Sequence, residues 1–71
     1  MMPLTMVKEG EPNKIRRVGG KDKIKRFLKN LGFVEGAIVT VVSITGGNMI
    51  VNVKESRVAI GKDMANKIMV V

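Results

Sequence analysis

Apolar residues recur with a helical period in the basic segment that follows residue 22. Four of them are spaced i, i+3, i+4 and i+7, on one face of a helix: Ile24, Phe27, Leu28 and Leu31. Asp22 is suited to the N-cap position. Gly32 follows the last periodic residue, where helices commonly end in a left-handed conformation that favours glycine. The pattern therefore predicts an amphipathic helix that ends at Gly32, with Phe33 folding back onto Leu28.

The segments outside this helix are rich in β-branched and other apolar residues. Before the helix, residues 4–7 and 13–18 are strand candidates. Residues 37–44 are apolar on both faces except at Thr40 and Ser43, which is typical of a strand in the middle of a sheet, since an exposed edge of this kind would aggregate. After a last helical turn over residues 61–66, residues 68–71 can form a closing strand.

Gly46 and Gly47 predict a two-residue hairpin turn with Thr45 opposite Asn48. The apolar face of this hairpin would consist of three cross-strand pairs: Ile44 with Met49, Val42 with Val51 and Thr40 with Val53. The other face would also consist of three pairs: Ser43 with Ile50, Val41 with Asn52 and Val39 with Lys54. A second turn at Glu55–Ser56 would extend the apolar face by two pairs: Val53 with Val58 and Val51 with Ile60.

Five or six short strands and one inserted helix are too little for two full sheets. Closure into a small barrel removes the exposed edges, so we predict a single, mainly β domain over residues 1–71 with a closed or nearly closed barrel. A chain of 71 residues without Cys or His cannot use disulfides, and must be stabilised by aliphatic packing. No apolar run reaches the roughly 18 residues of a membrane span, and the N-terminus lacks the features of a signal peptide. A cytoplasmic location is expected.

The positive charge is concentrated in one segment. The formal net charge is +7, and residues 14–29 contain eight basic residues and one acidic residue, so this segment accounts for the entire surplus. Such a field attracts an anionic partner, whether an acidic protein, nucleic acid or lipid head groups. A solvated face that keeps a small domain soluble is the alternative interpretation.

The residue inventory predicts no catalytic residues, no cofactor site and no metal site. Without His and Cys the commonest general base and thiol nucleophile are missing, and the six carboxylates are scattered along the chain. Gly46-Gly47 lacks the Lys-Ser/Thr of a phosphate-binding loop. Methionine thioethers suit copper(I) rather than iron(II), and four of them are interpreted as core or rim packing: Met6, Met49, Met64 and Met69. We therefore expect a non-enzymatic protein.

The scarcity of aromatic residues disfavours two kinds of ligand. The chain has no Trp or Tyr, and Phe27 and Phe33 fall on the apolar helix stripe and its cap. Aromatic grooves bind proline-rich ligands, and aromatic side chains stack on single-stranded nucleic acid. A basic nucleic-acid-binding barrel stays as the alternative function, because charge alone supports sequence-independent binding.

The order of these features resembles the FeoA family of small proteins associated with bacterial ferrous-iron transport. The matching residues extend along nearly the whole chain: Leu4, Gly10, Ile15, Arg26-Phe27-Leu28, the block from Leu31 to Gly36, Arg57-Val58-Ala59-Ile60, Ala65 and Ile68-Met69-Val70. The block from Leu31 has the pattern Leu-Gly-hydrophobic-x-x-Gly. At the hairpin the chain departs from the family, since members often have a proline after the glycine and this chain has Asn48.

The resemblance implies an SH3-like β-barrel with a helix inserted after the second strand. It also implies an accessory or regulatory interaction module that acts beside FeoB, the membrane ferrous-iron permease with a GTP-binding domain. Related domains form the C-terminus of iron-dependent repressors of the diphtheria-toxin-repressor type. The candidate partner-binding residues are the following: Arg16, Arg17, Lys23, Arg26 and Lys29. The hairpin tip and the outer strand faces are alternative contact surfaces, no membrane insertion is expected, and the oligomeric state stays open.

Overall fold

The computed structural model describes all residues, from Met1 to Val71. In chain order the elements are β1 (Met2–Pro3), a 3-10 helix (Leu4–Met6), β2 (Pro12–Val18), α1 (Asp22–Leu31), β3 (Ile38–Thr45), β4 (Asn48–Val53), β5 (Ser56–Gly61), α2 (Lys62–Ala65) and β6 (Ile68–Val70). Five or six strands, an inserted helix and a C-terminal helical turn were expected, and the structure has six strands with both helical elements. The strand predicted over residues 4–7 is wrong, because the N-terminal strand is Met2–Pro3 and Leu4–Met6 form a 3-10 turn that buries Leu4.

The strands form one antiparallel sheet in the order β1-β6-β2-β3-β4-β5. As predicted, β3 lies in the interior of the sheet. β1 and β5, the two edge strands, do not pair with each other, so the barrel is nearly but not fully closed. Helix α2 packs against β4, β5 and the 3-10 helix that follows β1. Thr5 Oγ1 donates a hydrogen bond to Asn66 Oδ1 at 2.6 Å and joins the 3-10 helix to the end of α2.

The core is aliphatic, with one aromatic residue and no buried polar or charged residue. Fourteen side chains form one buried cluster: Leu4, Val7, Ile15, Leu28, Phe33, Val39, Val41, Met49, Val51, Val53, Ile60, Ala65, Ile68 and Val70. Of the methionines interpreted as packing residues, Met49 is fully buried but Met6 is 69% exposed, so that interpretation is wrong for Met6. Met64 and Met69 are partly buried.

The β3–β4 hairpin has the predicted turn but only part of the predicted register. Three pairs next to the turn are confirmed: Thr45 with Asn48, Ile44 with Met49 and Ser43 with Ile50. Beyond them the register shifts by one residue at Val42, and the observed pairs are Val41 with Val51, Thr40 with Asn52 and Val39 with Val53. A bulge inserts one unpaired residue and reverses the in-and-out alternation of the strand. Val41 and Val39 are therefore fully buried, whereas Val42 and Thr40 are only partly buried.

The turn between β4 and β5 lies one residue earlier than predicted, at Lys54 and Glu55, with Val53 opposite Ser56. The predicted partners of Val53 and Val51 are thus wrong by two residues, and Val51 pairs with Val58. A shift of two residues leaves the inward face unchanged, so Ile60 is still buried at 4% exposure. Lys54 has a φ of +56° and takes the left-handed position usually given to glycine.

Candidate docking surface

Helix α1 ends as the sequence predicts. Gly32 has a φ of +109°, and its N–H donates to the carbonyl of Lys29 at 2.9 Å, while the N–H of Phe33 donates to the carbonyl of Leu28 at 3.0 Å. This pair of bonds is a Schellman motif, and Phe33 is 1% exposed. At the other end of α1 the predicted N-cap, Asp22, is wrong. The N-cap residue is Lys21, which makes no side-chain cap, and Asp22 lies in the first turn. There its negative charge interacts favourably with the helix dipole.

Only part of the apolar stripe of α1 faces the barrel. Leu28 is fully buried, and Ile24 and Leu31 pack against the core while partly exposed. Phe27 is 48% exposed, so its predicted place in the apolar interface is wrong. A helix turns by about 100° per residue, and Phe27 therefore lies at the margin of a stripe centred on Leu28.

The two ends of α1 lie beside turns from distant parts of the chain. The N–H of Gly19 donates to the carbonyl of Lys67 at 2.7 Å, and a Cβ on Gly20 would lie 2.9 Å from Cδ of Lys67. At the C-terminal end, a Cβ on Gly32 would lie 3.6 Å from Cδ of Lys54. Lys54 and Lys67 thus add positive charge at both ends of the helix. Neither residue was predicted as part of the site, because both are distant from residues 14–29 along the chain.

A β-bulge in β2 exposes two consecutive arginines. Ile15 pairs with Val70 and Arg17 with Met69, so Arg16 is an extra residue on β2. Ile15 is 1% exposed, whereas Arg16 and Arg17 are both exposed. The regular alternation of a strand would bury one of two adjacent residues, and the bulge removes that requirement.

Two depressions lie on either side of Glu35, one lined by α1, the end of β2 and the loop of residues 33–36, the other by β2, the same loop and Val71. The first, of about 260 Å³, is lined by Val18, Lys25, Lys29, Phe33, Val34 and Glu35. The second, of about 480 Å³, is lined by Lys14, Ile15, Arg16, Glu35, Gly36 and Val71. Because Glu35 lines both, we describe them together as the basic groove. The loop is fixed against β2 by hydrogen bonds of 2.8 Å from Gly36 N–H to the Ile15 carbonyl and from Ile15 N–H to the Ala37 carbonyl.

The five candidate residues are all exposed, but they do not share one depression. Arg16 and Lys29 line the basic groove. Arg17, Lys23 and Arg26 lie outside it, on β2 and α1. Two further lysines line the groove and were not among the candidates: Lys14 and Lys25. The i, i+4 spacing of Lys25 and Lys29, which places them on one helix face, is the signal that could have identified Lys25.

The chemistry available on this surface is electrostatic and apolar. No three or more His, Cys, Asp or Glu side chains come together in a way that could hold a metal ion. None of the helices has the length and apolar character needed to cross a bilayer. What remains is a shallow, open surface that combines apolar and cationic side chains.

Comparison with known proteins gives consistent matches over almost the full chain. Residues 2–71 match the FeoA domain family. A Methanocaldococcus jannaschii protein whose name describes it as Fe(2+) transport protein A is 33% identical to this chain over 70 residues. The match covers 99% of this chain and 85% of that protein. The resemblance stated from the sequence is thereby confirmed.

Solved structures show the same fold. The crystal structure of an iron uptake regulatory protein (FeoA) superposes with a TM-score of 0.89 at 30% identity, over 97% of this chain and 93% of the other. Stenotrophomonas maltophilia FeoA, crystallised with zinc and described as an SH3 domain protein, has a TM-score of 0.86 at 27% identity, over 100% and 91% of the two chains. The predicted SH3-like fold is confirmed. A manganese-dependent transcriptional repressor shares the fold with a TM-score of 0.88 at 19% identity, over 97% of this chain and 40% of that one.

Proposed function

The chain belongs to the FeoA domain family, and we propose from this membership that it is a non-enzymatic accessory module of ferrous-iron uptake. In this proposal it docks in the cytoplasm on FeoB, the GTP-binding membrane permease, and regulates it. The names of two similar proteins support the iron-related role, one for Fe(2+) transport and one for the regulation of iron uptake. Any chemistry on iron or on GTP belongs to the partner.

The observation that carries the docking proposal is the exposure of the surplus charge on two elements that are adjacent in the chain, β2 and α1. All five proposed contact residues are exposed: Arg16, Arg17, Lys23, Arg26 and Lys29. Charges arranged in this way accelerate association with an acidic partner and select its orientation. Since no catalytic group competes for this surface, binding is the function that its chemistry supports best.

Titration of the chain against FeoB, both as the isolated GTP-binding domain and as the whole permease, tests this proposal. We expect saturable binding that weakens as salt rises, because exposed charge pairs are screened over about 8 Å at physiological ionic strength. The double variant Arg26→Glu/Lys29→Glu should weaken binding at least tenfold, since like charges facing each other destabilise a complex by several kcal/mol.

The matched control is Arg57→Glu/Lys62→Glu, which changes the net charge equally. Both residues are exposed and lie on β5 and α2, with β3 and β4 between β5 and β2 in the sheet. Equal weakening by both double variants would mean that net charge, and not the α1 surface, governs binding. Absence of binding by the unmodified chain to the whole permease would refute the proposal. A mobility shift of duplex DNA at physiological salt, in place of permease binding, would favour a nucleic-acid-binding barrel.

A further inference from the structure

We propose that the basic groove binds an acidic segment of a partner protein in an extended conformation, with one apolar side chain seated between β2 and α1. The inference rests on the proposed docking function and specifies how the partner is recognised. Its basis is the juxtaposition of an apolar floor, four cationic side chains and one central carboxylate. These residues come from three separate segments of the chain: residues 14–18 of β2, residues 25–29 of α1 and the loop of residues 33–36.

The depression beside α1 supplies the apolar floor. Val18, Phe33 and Val34 line it; the two valines are partly buried and so keep some accessible apolar surface, whereas Phe33 is 1% exposed. The depression measures about 260 Å³. A concave apolar site with a few convergent polar groups is the usual form of a pocket for an anchoring side chain.

Cationic side chains stand at both ends of the groove. Lys25 and Lys29 lie one helical turn apart on α1 at the apolar end, and Lys14 and Arg16 line the end beside the start of β2. The only acidic side chain in the groove is Glu35, which lines both depressions. The preferred peptide therefore has acidic residues toward both ends and a neutral hydrogen-bond donor at the centre, because a central carboxylate would face Glu35.

The same geometry argues against the other anionic ligands. Stacking of nucleic-acid bases needs an accessible aromatic ring, and the one aromatic residue in the groove is buried. A bilayer surface is flat on the scale of this domain and would contact projecting residues such as Phe27, which lies outside the groove. An extended peptide is the ligand that reaches the apolar floor and both cationic walls together.

The binding test uses a synthetic eight-residue peptide, in which a central Leu-Ser pair has three acidic residues on each side. Titration into the ¹⁵N-labelled chain should shift the amide resonances of Val18, Val34 and Gly36 in a saturable way. Replacing the peptide Leu by Ser should weaken binding about tenfold, which corresponds to 1.4 kcal/mol. Shifts confined to residues outside the groove, or equal affinity for the two peptides, would overturn the proposal.

Variants of the chain separate the groove from the general charge. Lys25→Glu/Lys29→Glu should weaken peptide binding at least tenfold, while Arg57→Glu/Lys62→Glu should change it less than threefold at the same net charge. Glu35→Gln should tighten the binding of a peptide with an acidic centre, since it removes the opposing carboxylate. Circular dichroism of each variant establishes that it is folded. Equal loss in both double variants, or no gain with Glu35→Gln, would overturn the proposal.

Two competitors and one permease experiment distinguish the remaining outcomes. Displacement of the peptide by millimolar inorganic phosphate, or preferential binding to phosphatidylglycerol vesicles through Lys25 and Lys29, would identify an anion or lipid site and overturn the peptide proposal. Permease binding that survives Lys25→Glu/Lys29→Glu but is lost with Lys23→Glu/Arg26→Glu would overturn the groove while leaving the docking function intact. Peptide binding in the groove without permease binding would support the groove and refute the proposed partner.

Discussion

Replacement of Leu28 by alanine tests whether the inserted helix is held to the barrel by one buried side chain. Leu28 is fully buried, whereas its neighbour Phe27 is 48% exposed. Deleting a buried leucine side chain to alanine destabilises a protein by about 3 kcal/mol, through lost transfer free energy and the cavity that remains. A domain of 71 residues has a free energy of unfolding of about 4–10 kcal/mol. Leu28→Ala should therefore remove about one third or more of the stability.

Phe27→Ala is the matched control on the same helix. Because about half of this side chain is already in water and no cavity forms, we expect a loss of about 1 kcal/mol. At about 4–8 °C per kcal/mol for a domain of this size, Tm should fall by about 12–24 °C for Leu28→Ala and by less than about 8 °C for Phe27→Ala.

Thermal unfolding followed by circular dichroism is the appropriate assay, since the chain has no Trp or Tyr for fluorescence. Urea titration gives the same comparison in free energy. Equal destabilisation by the two variants would refute the placement of α1, because it would mean that Phe27 and Leu28 are buried to the same extent. A larger loss for Phe27→Ala would show that the helix is rotated on the barrel.

Three further predictions concern the backbone, and each is checked by urea titration. Gly32→Ala should destabilise the domain by about 1–2 kcal/mol, because alanine at a φ of +109° is strained even though the nearest atom lies 3.5 Å from the added Cβ. The control Gly47→Ala, whose added Cβ has no neighbour within 4 Å, should cost less than about 0.5 kcal/mol. Equal losses of stability in the two variants would contradict the helix cap at Gly32. Lys54→Gly should stabilise by about 0.5–1 kcal/mol by relieving the left-handed φ of +56°, and a loss of stability would argue against this turn. Val41→Ala should cost about 2 kcal/mol and Val42→Ala less than about 1 kcal/mol, and the reverse order would refute the bulge.

Local features of the fold were predictable because each depends on a few neighbouring residues. The end of α1 follows from Gly32 after an apolar stripe, and the hairpin turn follows from Gly46-Gly47. In that turn only Gly46 has a positive φ, as in a type II′ turn. The interior position of β3 follows from its β-branched, uncharged and largely apolar sequence.

Register beyond the turns was not predictable, because the apolar run that identifies β3 contains no signal for a shift of one residue. Val39, Val41 and Val42 are all apolar. A pattern that points the odd-numbered residues into the core and one that points the even-numbered residues there would therefore each bury valine. The bulge at Arg16 in β2 was not predictable for a different reason. Two adjacent arginines do not indicate whether a bulge or some other backbone arrangement exposes both side chains. Bulges are decided by the fit between strands across the barrel, which single-sequence patterns do not encode.

The positive charge of the candidate site was predictable from the sequence, but the shape of its surface was not. The concentration of cations in residues 14–29 identifies Arg16 and Lys29, both of which line the groove. Glu35 is one of six scattered carboxylates in the sequence, yet in the structure it lines both depressions. That role depends on the loop of residues 33–36 returning to β2 through hydrogen bonds at Ile15 and Gly36, a contact over twenty positions along the chain.

Hydrogen–deuterium exchange of the chain with and without the whole permease tests the central claim most directly. The account predicts slower exchange of backbone amides in β2, in α1 and in the loop of residues 33–36 when FeoB is added. This protection should disappear with Lys25→Glu/Lys29→Glu and persist with Arg57→Glu/Lys62→Glu. Protection confined to the hairpin tip at residues 45–48 or to β5 would contradict the account, because the partner would then contact a surface outside the basic segment.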